Sequence, residues 1–436
     1  MKKIVVVSSL AIVIAGGAAA VPYYSGDKVE SSINTVQTLR RGAVSLSYEA
    51  NSYERGYLNS SADSTLAVSV ADEVVRFAVE HEIEHMLVPQ VRSTFRVLPE
   101  GDGVQRALYE FFGDQPVLIT DTRMTTGGAT VAATMPEVQG MLADELTRLS
   151  FGGLNGNFIY GGDKLAGTID VQPLSMFEGE MGLVIGAQQL QFENREVSEL
   201  VSPGEASYSL ERFEWRDADG VIALDKVRVT SSQSVNADLI GSEMLMEVAS
   251  LETPKGHIDD LSLSMGLDNF HRDLMEFLAE MEQNAPEDLE NFNIAPEVFE
   301  PMLVRFLESA PGYDMQFVLG PSTDSRMALN WDMLYSKPEA LEIDLDQPMS
   351  LIAGIDTTVL LTFKPEFINE VAELTGGVFG SAEEINAMLG MMEAEGYLSR
   401  DDKGYRVKLG FQGGNLTVND VPRPELMMML AMLAME

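Results

Sequence analysis

The sequence predicts an α+β protein: a long, curved antiparallel β-meander packed with late amphipathic helices, preceded by one N-terminal membrane-targeting helix. Three observations predict it. Apolar and polar residues alternate, with Gly, Asn and Ser turns between the runs, from about residue 43 to residue 267. Helical spacing of apolar residues begins at residue 268, and mixed α/β patterns continue to residue 436 without a firm boundary. An uninterrupted apolar run opens the chain.

The opening run predicts a membrane anchor over residues 1–24. Lys2 and Lys3 precede it and hold the amino end in the cytoplasm. The run itself has about 18 residues, or about 27 Å as a helix, close to the hydrocarbon thickness of a bilayer. Tyr23 and Tyr24 follow at the position of an interfacial aromatic belt. Residues 25–436 would then form a body in the periplasm of a bacterium, tethered by a single pass through the inner membrane.

A cleaved secretory signal is the alternative for the same segment. Such signals have a charged start, a shorter apolar core and small residues before the cut, which Ala18-Ala19-Ala20 could supply. The length of the run and the tyrosine pair favour the anchor.

Composition limits the partners of the body. The net charge is −39, from 68 acidic and 29 basic residues. Nucleic acid and anionic lipid surfaces are disfavoured, because phosphate binding needs concentrated Lys and Arg. Cysteine is absent, so disulfides and thiol chemistry are excluded. The sequence therefore predicts no nucleic-acid partner.

The first β-hairpin is predicted from two alternating runs. These flank a Gly/Asn/Ser-containing turn, and their apolar positions are Val44, Leu46, Tyr48 and then Leu66, Val68, Val70.

Short motifs near this hairpin carry a family resemblance. Residues 22–26 (Pro-Tyr-Tyr-Ser-Gly), 53–56 (Tyr-Glu-Arg-Gly) and 60–62 (Ser-Ser-Ala) resemble the YdgA-like family of bacterial proteins of unknown function. That family commonly has His-Gly-Pro after its next strand, whereas His85 here is followed by Met86. The resemblance implies an inner-membrane anchor and a β-rich periplasmic body, and it brings no catalytic residues.

One motif raises the alternative of a zinc-dependent hydrolase. His81-Glu82-Ile83-Glu84-His85 matches His-Glu-x-x-His, in which two histidines on one helix face bind zinc and the glutamate is the general base. The surrounding residues favour a strand instead, because Phe77, Val79, His81, Ile83 and His85 fall on one side. Two histidines four residues apart on a strand are about 13 Å apart, too far to share one ion. Glu110 is the single downstream ligand candidate.

Further elements are predicted along the chain. They are a short helix or connector at residues 27–41 and helices at 135–149, 268–283, 296–309 and 381–395, the last opened by a Ser381–Glu384 capping box. A hairpin over residues 397–411 turns at Asp402-Lys403-Gly404. Among the other histidines, His257 is predicted on a strand surface and His271 beside a charged helix face.

Methionine is frequent, with 25 residues, and it is clustered late in the chain. A Cu(I) site of thioethers at Met388, Met391 and Met392 is one interpretation, and core packing is the favoured one. Leu426 to Met435 contains no charge and predicts docking, either onto its own sheet or onto a second copy in a homo-oligomer.

Together these patterns predict a non-enzymatic periplasmic scaffold or binding protein for protein or apolar lipid ligands, with no metal or other cofactor. The zinc hydrolase with His81, Glu82 and His85 is the alternative.

Overall fold

The computed structural model describes residues 37–41, 44–70, 73–85, 88–101, 103–125, 127–141, 146–162, 164–195, 203–284, 296–320, 326–337, 348–368 and 381–426. The predicted anchor at residues 1–24 lies outside these ranges, and so do residues 427–436. Within the described ranges, no helix is long and apolar enough to cross a membrane. The anchor stays a prediction.

The chain divides into two compact units. Among the described residues, those up to 218 and residues 282–284 form the first unit, and residues 219–281 and those from 296 onward form the second. Strands dominate both, and every recorded strand pairing is antiparallel, so the predicted antiparallel sheet is confirmed.

The first unit is an antiparallel meander, in which β1 to β7 pair in chain order. Its strands are β1 Gln37–Arg41, β2 Val44–Glu54, β3 Asn59–Val70, β4 Glu73–Glu84, β5 Gln90–Val97, β6 Leu118–Thr125, β7 Gly128–Met135, β8 Val138–Met141, β9 Thr147–Phe151, β10 Leu154–Gly161, β11 Lys164–Val171, β12 Leu174–Glu178, β13 Met181–Ile185, β14 Gln188–Arg195 and β15 Gly204–Asp217. In the first hairpin Leu46 pairs with Val68 and Tyr48 with Leu66, as the alternation predicts.

Four long strands of this meander are broken by two residues each. β7 continues as β8, β9 as β10, β11 as β12 and β13 as β14. The breaks line up across the sheet, because β7 pairs with β10 while β8 pairs with β9, and β11 pairs with β14 while β12 pairs with β13. They fall at residues 136–137, 152–153, 172–173 and 186–187, where proline or glycine interrupts the ladder.

The helix predicted over residues 135–149 is wrong in its described part. Pro136 marks the break between β7 and β8 rather than the first turn of a helix. Residues 147–151 pair with β8 and β12 as strand β9, with Thr147, Leu149 and Phe151 buried. Period-two burial therefore decides the local structure here.

One helix that was not predicted from the sequence packs against the hydrophobic core of the first unit. Helix α1, Val104–Phe112, follows β5 and buries Val104 and Leu108. Gln105 is also buried, and its Nε2 donates to the carbonyl oxygens of Leu98 at 2.6 Å and Arg76 at 3.0 Å. These bonds satisfy backbone groups near the start of β4 and just after the end of β5.

The second unit is also a meander, with helices inserted between its strands. Its elements are β16 Gly220–Asn236, β17 Leu239–Thr253, β18 Gly256–His271, α2 Arg272–Asn284, α3 Pro296–Glu308, β19 Gly312–Leu319, β20 Met327–Tyr335, α4 Pro348–Ala353, β21 Ile355–Phe363, α5 Ala382–Ala394, β22 Ser399–Asp401, β23 Gly404–Gln412, β24 Asn415–Val418 and β25 Val421–Pro422. The described sheet runs β16-β17-β18-β19-β20-β21-β23.

The predicted capping box is confirmed, since Glu384 N donates to Ser381 Oγ and Ser381 N to Glu384 Oε2. The helix predicted from residue 268 begins only at Arg272, because Asp268 still pairs with Gly312 as part of β18. The short helix or connector predicted at residues 27–41 is wrong at its end, where residues 37–41 pair with β2 as β1, and residues 27–36 lie outside the described residues.

Candidate functional site

His81 to Glu84 of the His-Glu-x-x-His motif lie on β4 and His85 directly follows the strand, so the motif residues point to two faces of the sheet. Val75, Phe77, Val79, His81 and Ile83 are buried on one face, as the strand interpretation predicts. Glu82 and Glu84 are exposed on the other face, where they line an open groove of about 760 Å³ with side chains from β5, β6, β7 and β10. The sheet therefore separates Glu82 from both histidines.

His81 is held inside a small polar cage in the core. Its Nε2 lies 2.8 Å from Ser64 Oγ and 3.3 Å from the Tyr48 hydroxyl. Its Nδ1 lies 2.8 Å from Ser93 Oγ. Because every ring nitrogen has a partner, the buried imidazole is satisfied without charge.

The electrostatics favour the neutral form of this histidine. Burial lowers the pKa of His81 from 6.5 to about 4, and the nearby Asp63 carboxylate opposes part of that decrease. At neutral pH His81 therefore carries no charge.

His85 belongs to a different contact at the end of the same strand. Its Nε2 lies 2.7 Å from Ser60 Oγ, which also accepts a hydrogen bond from Gly56 N at 3.2 Å. Gly56 ends the Tyr-Glu-Arg-Gly motif, and a Cβ there would collide with the carbonyl oxygen of Asn59. The motif thus needs glycine for the turn between β2 and β3.

The two histidines do not converge on a common point, since each bonds to its own serine. Glu110 lies on α1, where it forms an ion pair with Arg106 at 2.8 Å. Within the described part of the chain, no group of three or more His, Asp or Glu side chains could hold a metal ion.

We expect His81→Ala and Glu82→Gln to leave the metal content of the purified protein unchanged and near zero. The reason is that the strand places these side chains on opposite faces. Metal analysis of both variants beside the unmodified chain measures this. Stoichiometric zinc that is lost in either variant would contradict it.

The remaining histidines and late methionines are dispersed. His257 is exposed and lies 3.5 Å from Asp259, and His271 is the last residue of β18 rather than part of a helix. On α5, Met388 and Met391 are exposed, whereas Met392 packs against a buried cluster.

The second unit has a face that the sequence reading missed. Directly paired residues of an antiparallel sheet share one face. Three neighbouring rows of paired residues across β16 to β23 are almost wholly apolar: Val227, Val248, Leu261, Leu319, Met327, Phe363, Tyr405; Val229, Met246, Leu263, Phe317, Leu329, Leu361, Val407; and Ser231, Met244, Met265, Met315, Trp331, Val359, Leu409. We call this surface the Met-rich face.

The opposite side of the same sheet is mostly polar. The row between the last two consists of Thr230, Leu245, Ser264, Gln316, Asn330, Leu360 and Lys408. The sheet is therefore amphipathic, and the Met-rich face is the side whose apolar side chains need to be shielded from water.

Two parts of the Met-rich face are covered by described residues. Beyond Met244 on the same side of β17, Ile240 is buried and pairs with Phe270, whose ring centroid lies 5.0 Å from that of Phe306 on α3.

A buried cluster covers the end of the face at β21 and β23. Ile368, Leu389 and Leu398 pack there on Tyr405, with Phe363 and Val407 partly buried beside them. Most other members are half-buried, and Leu409 is 39% exposed. Met333, which continues this face beyond Trp331, is 37% exposed. The face thus grows more exposed from the row of Tyr405 to the row of Trp331.

Fold and site together define a large antiparallel β-protein with one amphipathic sheet. The chain belongs to a family of bacterial proteins of unknown function, DUF945, whose model matches residues 1–425. No curated protein matches the chain, and no solved structure does.

Proposed function

We propose that this protein is a membrane-anchored periplasmic protein that binds lipid acyl chains on its Met-rich face and catalyses no reaction. The observation that supports it is the three apolar rows across β16 to β23, which are only half-buried over most of their length. Contiguous apolar surface of this extent on a folded protein is typical of a binding site.

The chemistry of the face suits acyl chains. Flexible methionine side chains adapt to ligands without a fixed shape, and Met244, Met246, Met265, Met315 and Met327 all contribute. Each methylene that leaves water on such a surface gains about 0.8 kcal/mol. The net charge of −39 disfavours contact with anionic headgroups, so the acyl part of the ligand supplies the affinity.

The anchor completes the proposal. The apolar run at residues 4–21 and the motifs that resemble YdgA-like proteins support it. A tether would hold the Met-rich face close to the lipids that it binds. We expect a mature protein that begins at or near Met1 and leaves the membrane only with detergent. Amino-terminal sequencing measures this, and a start at Val21 would overturn the tether.

Crosslinking in intact cells tests the binding. Lipids with a photoreactive group on the acyl chain are supplied, and crosslinked peptides are identified by mass spectrometry. We expect crosslinks in β19, β20 and β21, at side chains of the Met-rich face. Crosslinks confined to the first unit, or to the polar row of Gln316 and Asn330, would contradict the proposal.

A further inference from the structure

The first unit has exposed apolar side chains on two turns at one end of its sheet. The turn between β2 and β3 presents Tyr57, which is 95% exposed, and Leu58, which is 62% exposed. The turn between β4 and β5 presents Val88, which is 44% exposed. The two turns lie side by side, because His85 N donates to the carbonyl oxygen of Leu58 at 2.7 Å. We call Tyr57, Leu58 and Val88 the apolar tip.

Hydrogen bonds hold the two turns of the apolar tip together. Ser60 Oγ accepts a hydrogen bond from Gly56 N at 3.2 Å and lies 2.7 Å from His85 Nε2. The strands behind the turns are joined as well, since Asn59 pairs with Glu84 in the ladder between β3 and β4. Large apolar side chains that are grouped and exposed on ordered turns are typical of a docking surface.

The chain enters the first unit from the side of the apolar tip. β1 runs antiparallel to β2, with Arg41 beside Val44 and Gln37 beside Tyr48. β2 leads from Val44 towards the turn that carries Tyr57, so Gln37 is the end of β1 nearer the tip. A membrane segment that precedes β1 in the chain is therefore connected to the sheet on the side of the tip.

The number of residues before β1 allows the tip to reach a bilayer that holds the predicted anchor. Tyr57 follows Tyr48, the partner of Gln37, by about 9 residues, so the tip lies about 30 Å beyond Gln37 along the strands. Residues 25–36 span at most about 40 Å when extended. The tip and the anchor can therefore contact the same membrane. This step rests on the anchor of the proposed function.

A cleft of about 440 Å³ beside the tip carries charges of both signs. It is lined by Glu54, Glu82 and Glu84 together with Arg55 and Gly56. The carboxylates suit an ammonium group as hydrogen-bond donor, and the guanidinium suits a phosphate group. A phosphoethanolamine headgroup carries both groups and no net charge, so it matches the cleft. An anionic headgroup would instead meet an excess of carboxylates.

We propose that the apolar tip docks onto a bilayer of zwitterionic lipids, with a phosphoethanolamine headgroup in the cleft beside it. Leu58 and Val88 enter the acyl region, and Tyr57 lies in the headgroup layer, where tyrosine is enriched because its ring is amphipathic. The site is distinct from the Met-rich face, because it is formed wholly by residues of the first unit. Docking fixes the orientation of the first unit on the membrane.

Because the chain has no cysteine, one fluorescent label at a time can test this contact. Full-length Leu58→Cys and Val88→Cys variants carry an environment-sensitive fluorophore and are reconstituted into vesicles of phosphatidylethanolamine and phosphatidylcholine with brominated acyl chains. Flotation on a density gradient measures insertion. We expect bromine to quench both labels at least about threefold, since side chains of a docked tip enter the acyl boundary.

Met141→Cys is the matched control for the labelled variants. Met141 is 51% exposed, and it lies on β8, which continues β7 away from the turns of the tip. The label at this position should stay unquenched. Equal quenching at Met141→Cys and at the two tip positions would overturn the docking.

A further variant removes the apolar side chains of one turn. Tyr57→Ser with Leu58→Ser, combined with the labelled Val88→Cys, should lose quenching at least about threefold, because less apolar surface enters the bilayer. Both substituted side chains are exposed, so the fold should be retained. Replacing phosphatidylethanolamine by anionic phosphatidylglycerol should weaken quenching at Val88→Cys at least about twofold. Equal quenching in the anionic vesicles would overturn the assignment of the headgroup.

Failure of this inference is separable from failure of the proposed function. Unquenched tip labels in a chain that floats with the vesicles would overturn the docking and leave the anchor in place. Blue-shifted emission without quenching by bromine would also overturn it, and would place the tip against protein. A chain that does not float would overturn both anchor and docking. Quenched tip labels, with Trp331 unquenched by a brominated acyl ligand, would support the docking and contradict acyl binding on the Met-rich face.

Discussion

Acidification from pH 7 to pH 4 should lower the free energy of unfolding of the first unit by about 3 kcal/mol through His81 alone. The pKa of His81 is lowered from 6.5 to about 4 by burial. As the pH falls, His81 is therefore protonated in the unfolded chain before it is protonated in the folded chain. The stabilisation is complete above pH 6.5, is lost as the pH falls towards 4, and changes no further below that value.

Urea unfolding at several pH values measures this effect, with the emission of Trp215 reporting on the first unit. The His81→Gln variant has no titratable side chain at this position. Its loss of unfolding free energy between pH 7 and pH 4 should therefore be smaller than that of the unmodified chain by about 3 kcal/mol. His257→Gln is the matched control for the loss of one imidazole, because His257 is exposed and lies in the second unit. Equal pH dependence in His81→Gln and the unmodified chain would show that the cage of Ser64, Ser93 and Tyr48 does not hold a neutral imidazole.

Met315→Glu should weaken binding of a non-ionic acyl probe by about 10- to 100-fold, since contact with a buried carboxylate removes roughly 1.4–2.8 kcal/mol. Met315 pairs directly with Trp331 in the more exposed row of the Met-rich face. The carboxylate introduced at this position would contact the acyl chain without an opposite charge to pair with.

Gln316→Glu is the matched control for this substitution. Gln316 is the next residue on β19, is exposed, and lies on the polar side of the sheet. Its substitution should leave the affinity within about twofold, because surface changes away from a site are small. Equal loss in both variants would place the ligand elsewhere, and a parallel fall in melting temperature identifies a folding defect.

The local structure of several elements could be predicted from the sequence. Alternation at residues 77–85 predicts a strand with His81 inward and Glu82 outward, and Ser381 with Glu384 predicts the start of α5. These patterns depend on neighbours within a few residues, so they are readable without tertiary information.

Other elements depend on partners that are distant in sequence. Pro136 suits both a first helical turn and a strand break, and only the pairing of β8 with β9 decides between them. Helix α1 is stabilised by Gln105, whose partners Arg76 and Leu98 lie on β4 and after β5. Tertiary contacts override local preference at both places.

The Met-rich face was missed for a similar reason. Period-two spacing at Met327, Leu329, Trp331 and Met333 was visible in the sequence. The alignment of that strand with six others depends on their register, which single-strand patterns do not specify. The signal available in the sequence was the apolar face of each strand. Aligning these faces across neighbouring strands would have predicted the Met-rich face.

Quenching of tryptophan fluorescence tests the central claim most directly. The chain has two tryptophans, Trp215 in the first unit and Trp331 on the Met-rich face. A monoacylglycerol with bromine atoms on its acyl chain is titrated into Trp215→Phe and Trp331→Phe variants. The account predicts saturable quenching of Trp331 and no quenching of Trp215. Unquenched Trp331, or quenching of Trp215 alone, would contradict it.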